Sequence, residues 1–211
     1  MLSPETNAAL AWSDYYGSDH SWRWLRSSII GHLPLFRRIL WPRPRRALEI
    51  GTGTATMAAL VSYAGVKVTS LDIEKPILDH GLDTLRRLHS PARLVQADAF
   101  HLPFPNQTFD VTFSQGFFEH FEDDEIRALL HEQVRVARRV VLSVPNEAYR
   151  VQDFGNERLM RKEQWDKIIR DSGLLLIESM DYAPLRRHKV HRVPVHYLAV
   201  VTSKASRPTP V

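Results

Sequence analysis

Short apolar runs alternate with helical patterns along most of this chain. Residues 47–50 form a short strand candidate that ends at the turn GTGT. Residues 56–64 read as a helix, with Gly65 suited to its C-terminal cap. Residues 66–71 are rich in β-branched side chains and predict a strand. Over 77–89, Ile77, Leu78, Leu82, Leu85 and Leu88 share one helical face, and Pro76 stands near the start. Residues 93–97 and 110–114 are two more strands. A helix over 124–138 turns Ile126, Leu129, Leu130 and Val134 inward, and 139–144 is a buried strand. A helix over 162–172 stops at Gly173. Strands 174–182 and 195–203 close the pattern, joined through the basic stretch 186–192.

Strands separated by helices imply an α/β fold, a parallel sheet with helices on both faces. The last two strands have no helix between them, so they must pair antiparallel. The expected sheet is doubly wound and seven-stranded, with its last strand antiparallel. Residues 42–46 (PRPRR) make a breaker-rich joint. They divide an N-terminal helical segment, 1–46, from a core, 47–203, and a disordered tail follows at 204–211. Within the N-terminal segment, Trp22, Leu25, Ile29 and Leu33 share one helical face. That face is suited to docking on the sheet or walling an apolar substrate. With nearby arginines it also permits peripheral membrane contact, the less favoured reading.

Composition narrows the chemistry. The 211 residues hold no cysteine. Disulfides, thiolate metal sites, cysteine-held clusters and cysteine nucleophiles are therefore excluded. The first residues lack a signal-peptide pattern and no apolar run approaches a membrane span, so a cytoplasmic protein is expected. The net charge of +4 is unevenly spread. Residues 1–46 carry seven basic and three acidic side chains, 47–146 nine and thirteen, and 147–211 twelve and eight. An acidic middle between basic ends argues against a nucleic-acid partner, which favours a basic stripe.

The sharpest motif is ALEIGTGTA, at a strand-to-helix turn. Glycine there permits positive φ and close approach of a ligand to the backbone. The following helix offers free N–H groups. Asp72 closes the next strand and suits a ribose diol, and Asp98 follows the third strand. The nicotinamide fingerprint wants glycine or alanine three residues after Gly53, where Thr56 stands. Glu49 beside the turn would repel a pyrophosphate and welcome a cationic ligand.

These segments resemble the class I S-adenosylmethionine-dependent methyltransferases, in particular the small-molecule type 11 group of ubiquinone and menaquinone biosynthesis. ALEIGTGTA is similar to the family's first motif and VTSLDIEKPIL to its second. VQADAFHLPFPNQTFDVTFSQGFFEHF resembles its long central stretch. The resemblance implies a Rossmann-like fold and S-adenosylmethionine as cofactor, with S-adenosylhomocysteine as product. It implies that Glu49, Gly51, Thr52 and Gly53 hold the methionine end. Asp72 would bind the ribose and Ile73 would lie against adenine. Asp98 and Ala99 would meet the adenine edge, and Ser114 and Gln115 would lie near the sulfonium. Ala55 departs from the family's frequent third glycine, and its small side chain implies no loss of binding.

Methyl transfer from a sulfonium needs alignment and exclusion of water, and a base only where the acceptor must lose a proton. The resemblance implies that residues 1–46 fold over the site as a helical lid; His120 in FFEHF, and Tyr16 and His20 in that lid, are the candidate catalytic residues. His188, His191 and His196 lack metal-ligand spacing, so no metal is expected. The basic stretch suits an acidic or partly apolar small-molecule substrate. Asp110, at the far end of its strand, reads as structural. The stretch after the fourth strand lacks the Pro-Pro-aromatic motif of exocyclic-amine methyltransferases. A monomer or homodimer is compatible with all of this. The rival functions are a non-catalytic S-adenosylmethionine-binding protein and a nicotinamide-dependent oxidoreductase.

Overall fold

The computed structural model describes residues 29–150, 155–183 and 193–204, with the backbone alone of 185–186 and 189–190. Helix α1 spans Leu33–Leu40, strand β1 Arg46–Ile50, α2 Thr56–Ser62, β2 Lys67–Asp72 and α3 Lys75–Arg87. Strands β3 (Arg93–Gln96) and β4 (Val111–Gln115) follow. A 3-10 turn at Phe118–His120 leads to α4 (Asp123–Val136), β5 (Val140–Pro145), α5 (Lys162–Asp171) and β6 (Leu175–Tyr182). The strands β7 (Leu185–Arg186) and β8 (Lys189–Val190) precede β9 (His196–Thr202).

Among the described residues, seven strands form one sheet in the order β3-β2-β1-β4-β5-β9-β6. Strands β1 to β5 run parallel, and β9 is antiparallel to both its neighbours. The expected topology is borne out. Without a crossover helix after β6, β9 can only turn back beside it. The basic stretch 186–192 contributes to a short hairpin in which Arg186 pairs with Lys189.

Alternation along the strands feeds two cores. On one face Val111, Phe113, Val141, Leu198 and Val200 pack against Leu35, Phe36 and Ile39 of α1 and Met57, Ala58 and Val61 of α2. On the other, Leu142, Val144, Tyr197 and Ala199 pack against Ile126, Leu129 and Leu130 of α4 and Trp165, Ile168 and Ile169 of α5. The inward residues expected on α4 are all buried.

Two expected faces shift. Trp22 and Leu25 lie outside the described residues, while Ile29 and Leu33 are 38% and 53% exposed. The chain docks through Leu35, Phe36 and Ile39 instead, each worth about 1.5–3 kcal/mol of burial. His32 leaves helical geometry as the N-cap, and the helix starts at Leu33 with Pro34 in its first turn. On α3, Leu82 is exposed, and Gly81 and Thr84 take the inward places beside Ile77, Leu78 and Leu85. A Cβ on Gly81 would stand 2.9 Å from Thr52 Cγ2, so the missing side chain lets α3 press against the glycine turn.

The topology gathers chemistry at one edge. The C-terminal ends of β1, β2, β4 and β5 share it with the start of β9 and the end of β6. Pro145 and Tyr182 both pair with His196 there.

Candidate functional site

The turn between β1 and α2 is held in left-handed backbone at three places. The φ angles are 76° at Gly51, 48° at Gly53 and 57° at Ala55. Gly51 has a second constraint, because a Cβ there would lie 2.9 Å from the Phe117 ring. Ala55 occupies a conformation that costs an L-residue about 1 kcal/mol or more. Its methyl is buried with Ala59 and Leu85, which offsets part of that. A third glycine at this position would relieve the same strain.

Beneath the turn lies a buried acid. Glu49 accepts a 2.6 Å hydrogen bond from Ser70 Oγ, and Ser70 Oγ meets Thr52 Oγ1 at 2.9 Å. The Ala58 backbone N–H near the start of α2 also supports the carboxyl. Burial outweighs these bonds and pushes its pKa up to about 8. Among the described residues no basic side chain forms an ion pair with Glu49. This refines the electrostatic expectation. The group carries little standing negative charge near neutrality, and a cation placed against it would draw that charge out.

Asp72 ends β2. Its Oδ2 accepts the Thr52 N–H at 3.1 Å and its Oδ1 accepts the Glu74 N–H at 3.0 Å. Burial raises its pKa above the ordinary carboxylate value. The side chain therefore braces the glycine turn from β2. Ile73 beside it is 63% exposed, an apolar surface at the sheet edge. Asp98 accepts the Phe100 N–H at 2.9 Å and lies 2.8 Å from His101 Nδ1, and that His101 bond lowers its pKa most. Ala99 is partly buried against Phe109 and its neighbours.

At the end of β4, Ser114 is fully buried, and its Oγ has no hydrogen-bond partner among the described residues. Gln115 Nε2 lies 2.9 Å from His32 Nε2, and His32 Nδ1 lies 2.9 Å from the Tyr182 hydroxyl. That hydroxyl meets Ser143 Oγ at 2.8 Å. His196 stands edge-on to His32 at 5.3 Å and stacks with Tyr182 at 5.4 Å, and Tyr149 lies 5.8 Å from it. Sequence reasoning missed His32, Ser143 and Tyr182 as site residues. The available signal was the reversed strand, whose first residue must share an edge with the end of β6.

Residues 47–139 match the sequence profile of a methyltransferase domain. The chain is 35% identical over 109 residues to a demethylmenaquinone methyltransferase of Thermus thermophilus, a match spanning 48% of each chain. It is 32% identical over 118 residues to a malonyl-[acyl-carrier protein] O-methyltransferase of Halorhodospira halophila, spanning 55% of this chain and 37% of the relative. Over residues 47–139 the chain is thus similar to the class I S-adenosylmethionine-dependent methyltransferases. The chain spans about half or less of the length of these curated relatives.

Solved structures extend the likeness at the level of fold. Magnesium protoporphyrin IX methyltransferase from Synechocystis PCC 6803, with bound S-adenosylhomocysteine, superposes with a TM-score of 0.65 at 13% identity. That alignment covers 92% of this chain and 93% of that one. The [4+2]-cyclase SpnF superposes with a TM-score of 0.67 at 14% identity, covering 90% and 85%. The fold is thus shared by proteins whose names give different reactions.

Several motif residues are tied up structurally. Arg135 donates to the carbonyls of Leu102 and Phe104 and to Asn106 Oδ1, and Glu132 accepts the Leu102 N–H. Together they clamp the LPFPN loop behind Asp98. Asp110 accepts the N–H groups of Arg45 and Arg46 at the opposite edge, as its structural reading expects. His120 Nδ1 donates to Asn156 Oδ1 at 2.8 Å and thereby ties the 3-10 turn to the segment before α5. Its neighbour Glu119 is 3% exposed, with one carboxyl oxygen unpartnered among the described residues, and burial pushes its pKa up to about 8. Tyr16, His20, His188 and His191 lie outside the described residues. Among the described residues no group of three potential ligands could hold a metal ion. None of the described helices is long and apolar enough to cross a membrane.

Proposed function

We propose that this protein transfers the methyl group of S-adenosylmethionine to a small-molecule acceptor by direct in-line displacement. The observation that carries the reading is Glu49, a buried carboxyl beneath the glycine turn with no basic side chain among the described residues paired to it. A cationic, phosphate-free ligand fits that donor set. The sulfonium supplies an already activated methyl group. Glu49 and the backbone at Gly51, Thr52 and Gly53 would hold the methionine end. Asp72 would reach the ribose while bracing Thr52, and exposed Ile73 would offer an apolar face to adenine. Asp98 and Ala99 would border the adenine edge. Ser114 and Gln115, level with the turn, would flank the reacting end. The chain's work is then to align the acceptor and exclude water.

In this reading residues 1–46 cap the site, 47–203 bind the cofactor, and the basic hairpin borders an acidic or partly apolar acceptor. Supporting it are the domain match and the curated relatives, whose names are those of methyltransferases. The test is release of S-adenosylhomocysteine from the full chain against a library of small hydroxyl, amine and carbon acceptors. Release with at least one acceptor supports the reading. Tight cofactor binding with no release across the library favours a non-catalytic cofactor-binding protein.

A further inference from the structure

We propose that His32 accepts the proton of the methyl acceptor, and that the acceptor is accordingly a hydroxyl compound bound at the end of β4. This rests on the methyltransferase reading above. The register supplies the location. Glu49 pairs with Phe113, so Gln115 stands level with Gly51, and Phe117 packs on that glycine. His32 contacts Gln115 and is therefore next to the turn that would hold the methionine end.

The hydrogen bonds supply the chemistry. An amide nitrogen only donates, so Gln115 Nε2 donates and His32 Nε2 accepts. The ring then carries its proton on Nδ1 and donates it to the Tyr182 hydroxyl. Tyr182 is buried, and burial holds its hydroxyl well above the ordinary phenol value. It stays protonated and shares a hydrogen bond with Ser143 Oγ. The Gln115 amide donor thus selects the Nδ1–H tautomer of His32, which Tyr182 accepts. That tautomer presents a basic nitrogen toward the cofactor edge, while His196 and Tyr182 frame the ring with aromatic surface.

A neutral amine needs no base to attack a methyl group, whereas a hydroxyl is a weak nucleophile until its proton leaves. A fixed neutral imidazole thus suits a hydroxyl. The acceptor O–H takes the place of the Gln115 amide on Nε2. As the oxygen pair forms the O–CH3 bond, the C–S pair departs with sulfur and the proton passes to His32 Nε2. The imidazolium keeps its Nδ1–H on Tyr182 and later returns the proton to water. Sulfonium, alcohol and imidazole become thioether, ether and imidazolium, so charge balances.

The test starts with the full chain carrying 15N-labelled histidine, bound to S-adenosylhomocysteine. Long-range 1H–15N correlation reports the His32 tautomer, assigned by its loss in His32→Gln. The Nδ1–H form is expected, with a shift toward Nε2–H in Tyr182→Phe. An Nε2–H form in the unsubstituted chain overturns the proposal. Turnover is then followed with phenols, led by 3,4-dihydroxybenzoate, beside primary amines and thiols. Methylation at phenol oxygen is expected, with His32→Gln lowering kcat about 100-fold or more and leaving the KM for S-adenosylmethionine within about twofold. Methylation confined to amines or thiols, or an unchanged kcat in His32→Gln, overturns it. Failure of the chain to bind S-adenosylhomocysteine at all overturns the broader methyltransferase reading instead.

Discussion

The Ser70 hydroxyl donates a 2.6 Å hydrogen bond to Glu49, tying β2 to the acid beneath the glycine turn. Burial holds the Glu49 pKa at about 8, so near pH 6.5 most of the protein carries this group protonated. A cation favours the ionised form. Binding of S-adenosylmethionine should therefore expel close to one proton at that pH. Affinity should rise by up to about tenfold per pH unit as pH climbs toward 8. Calorimetry in two buffers of different ionisation enthalpy measures the proton count. In Glu49→Gln the count should fall by close to one and the affinity should drop. An unchanged proton count in Glu49→Gln would remove Glu49 from the cofactor site.

Glu119 makes a separate prediction about stability. Its folded pKa is raised to about 8 from 4.5, the value taken for an unburied glutamate. Between these values the folded state binds more protons than the unfolded state. Stability therefore falls as pH rises from about 4.5 to about 8, by at most about 1.4 kcal/mol per unit, and then levels off. Glu49 adds a second contribution of the same sign. Urea denaturation of Glu119→Gln across this range should give a shallower decline. An equally steep decline would mean that Glu119 is not the buried acid responsible.

Gly81 tests how α3 supports the turn. A Cβ there would meet Thr52 Cγ2 at 2.9 Å and Ala55 Cβ at 3.1 Å. Alanine normally gains about 0.5–1 kcal/mol over glycine inside a helix. Overpacking at this contact reverses the sign, for a net loss of about 1–2 kcal/mol. Gly81→Ala should also weaken cofactor binding, because Thr52 moves with its turn. Denaturation and calorimetry on the same variant check both. Greater stability with unchanged affinity would show that α3 does not brace the turn.

Arg135 holds the LPFPN loop through two carbonyls and Asn106. Arg135→Ala should cost about 1–3 kcal/mol. It should also speed hydrogen exchange over residues 98–106 beyond the change elsewhere. Arg135→Lys should recover little, since one ammonium cannot reproduce the planar fork.

The fold was legible because hydrophobic period and helix-free connection are local properties. The 3.6-residue period gave α4 its inward face, and the absent crossover after β6 gave β9 its direction. Leu82 was misread because periodicity alone cannot see a helix pressed against a turn through Gly81. Of the fates open to the face of Ile29 and Leu33, docking on the sheet falls to Leu35, Phe36 and Ile39 instead, a choice that periodicity alone does not make. The carboxyls at strand ends were visible in sequence, yet their states were not. Glu49 reads as a negative charge until its burial is known. The contact of His32 with Tyr182 joins positions 150 residues apart. No spacing reveals such a contact, although the reversed strand does say which residues meet at that edge.

Calorimetric titration of the full chain with S-adenosylhomocysteine and, separately, with NADH tests the account most directly. Saturable binding of S-adenosylhomocysteine is expected, clearly weakened in Asp72→Ala, with no heat of binding for NADH. Binding of NADH with none of S-adenosylhomocysteine would contradict it.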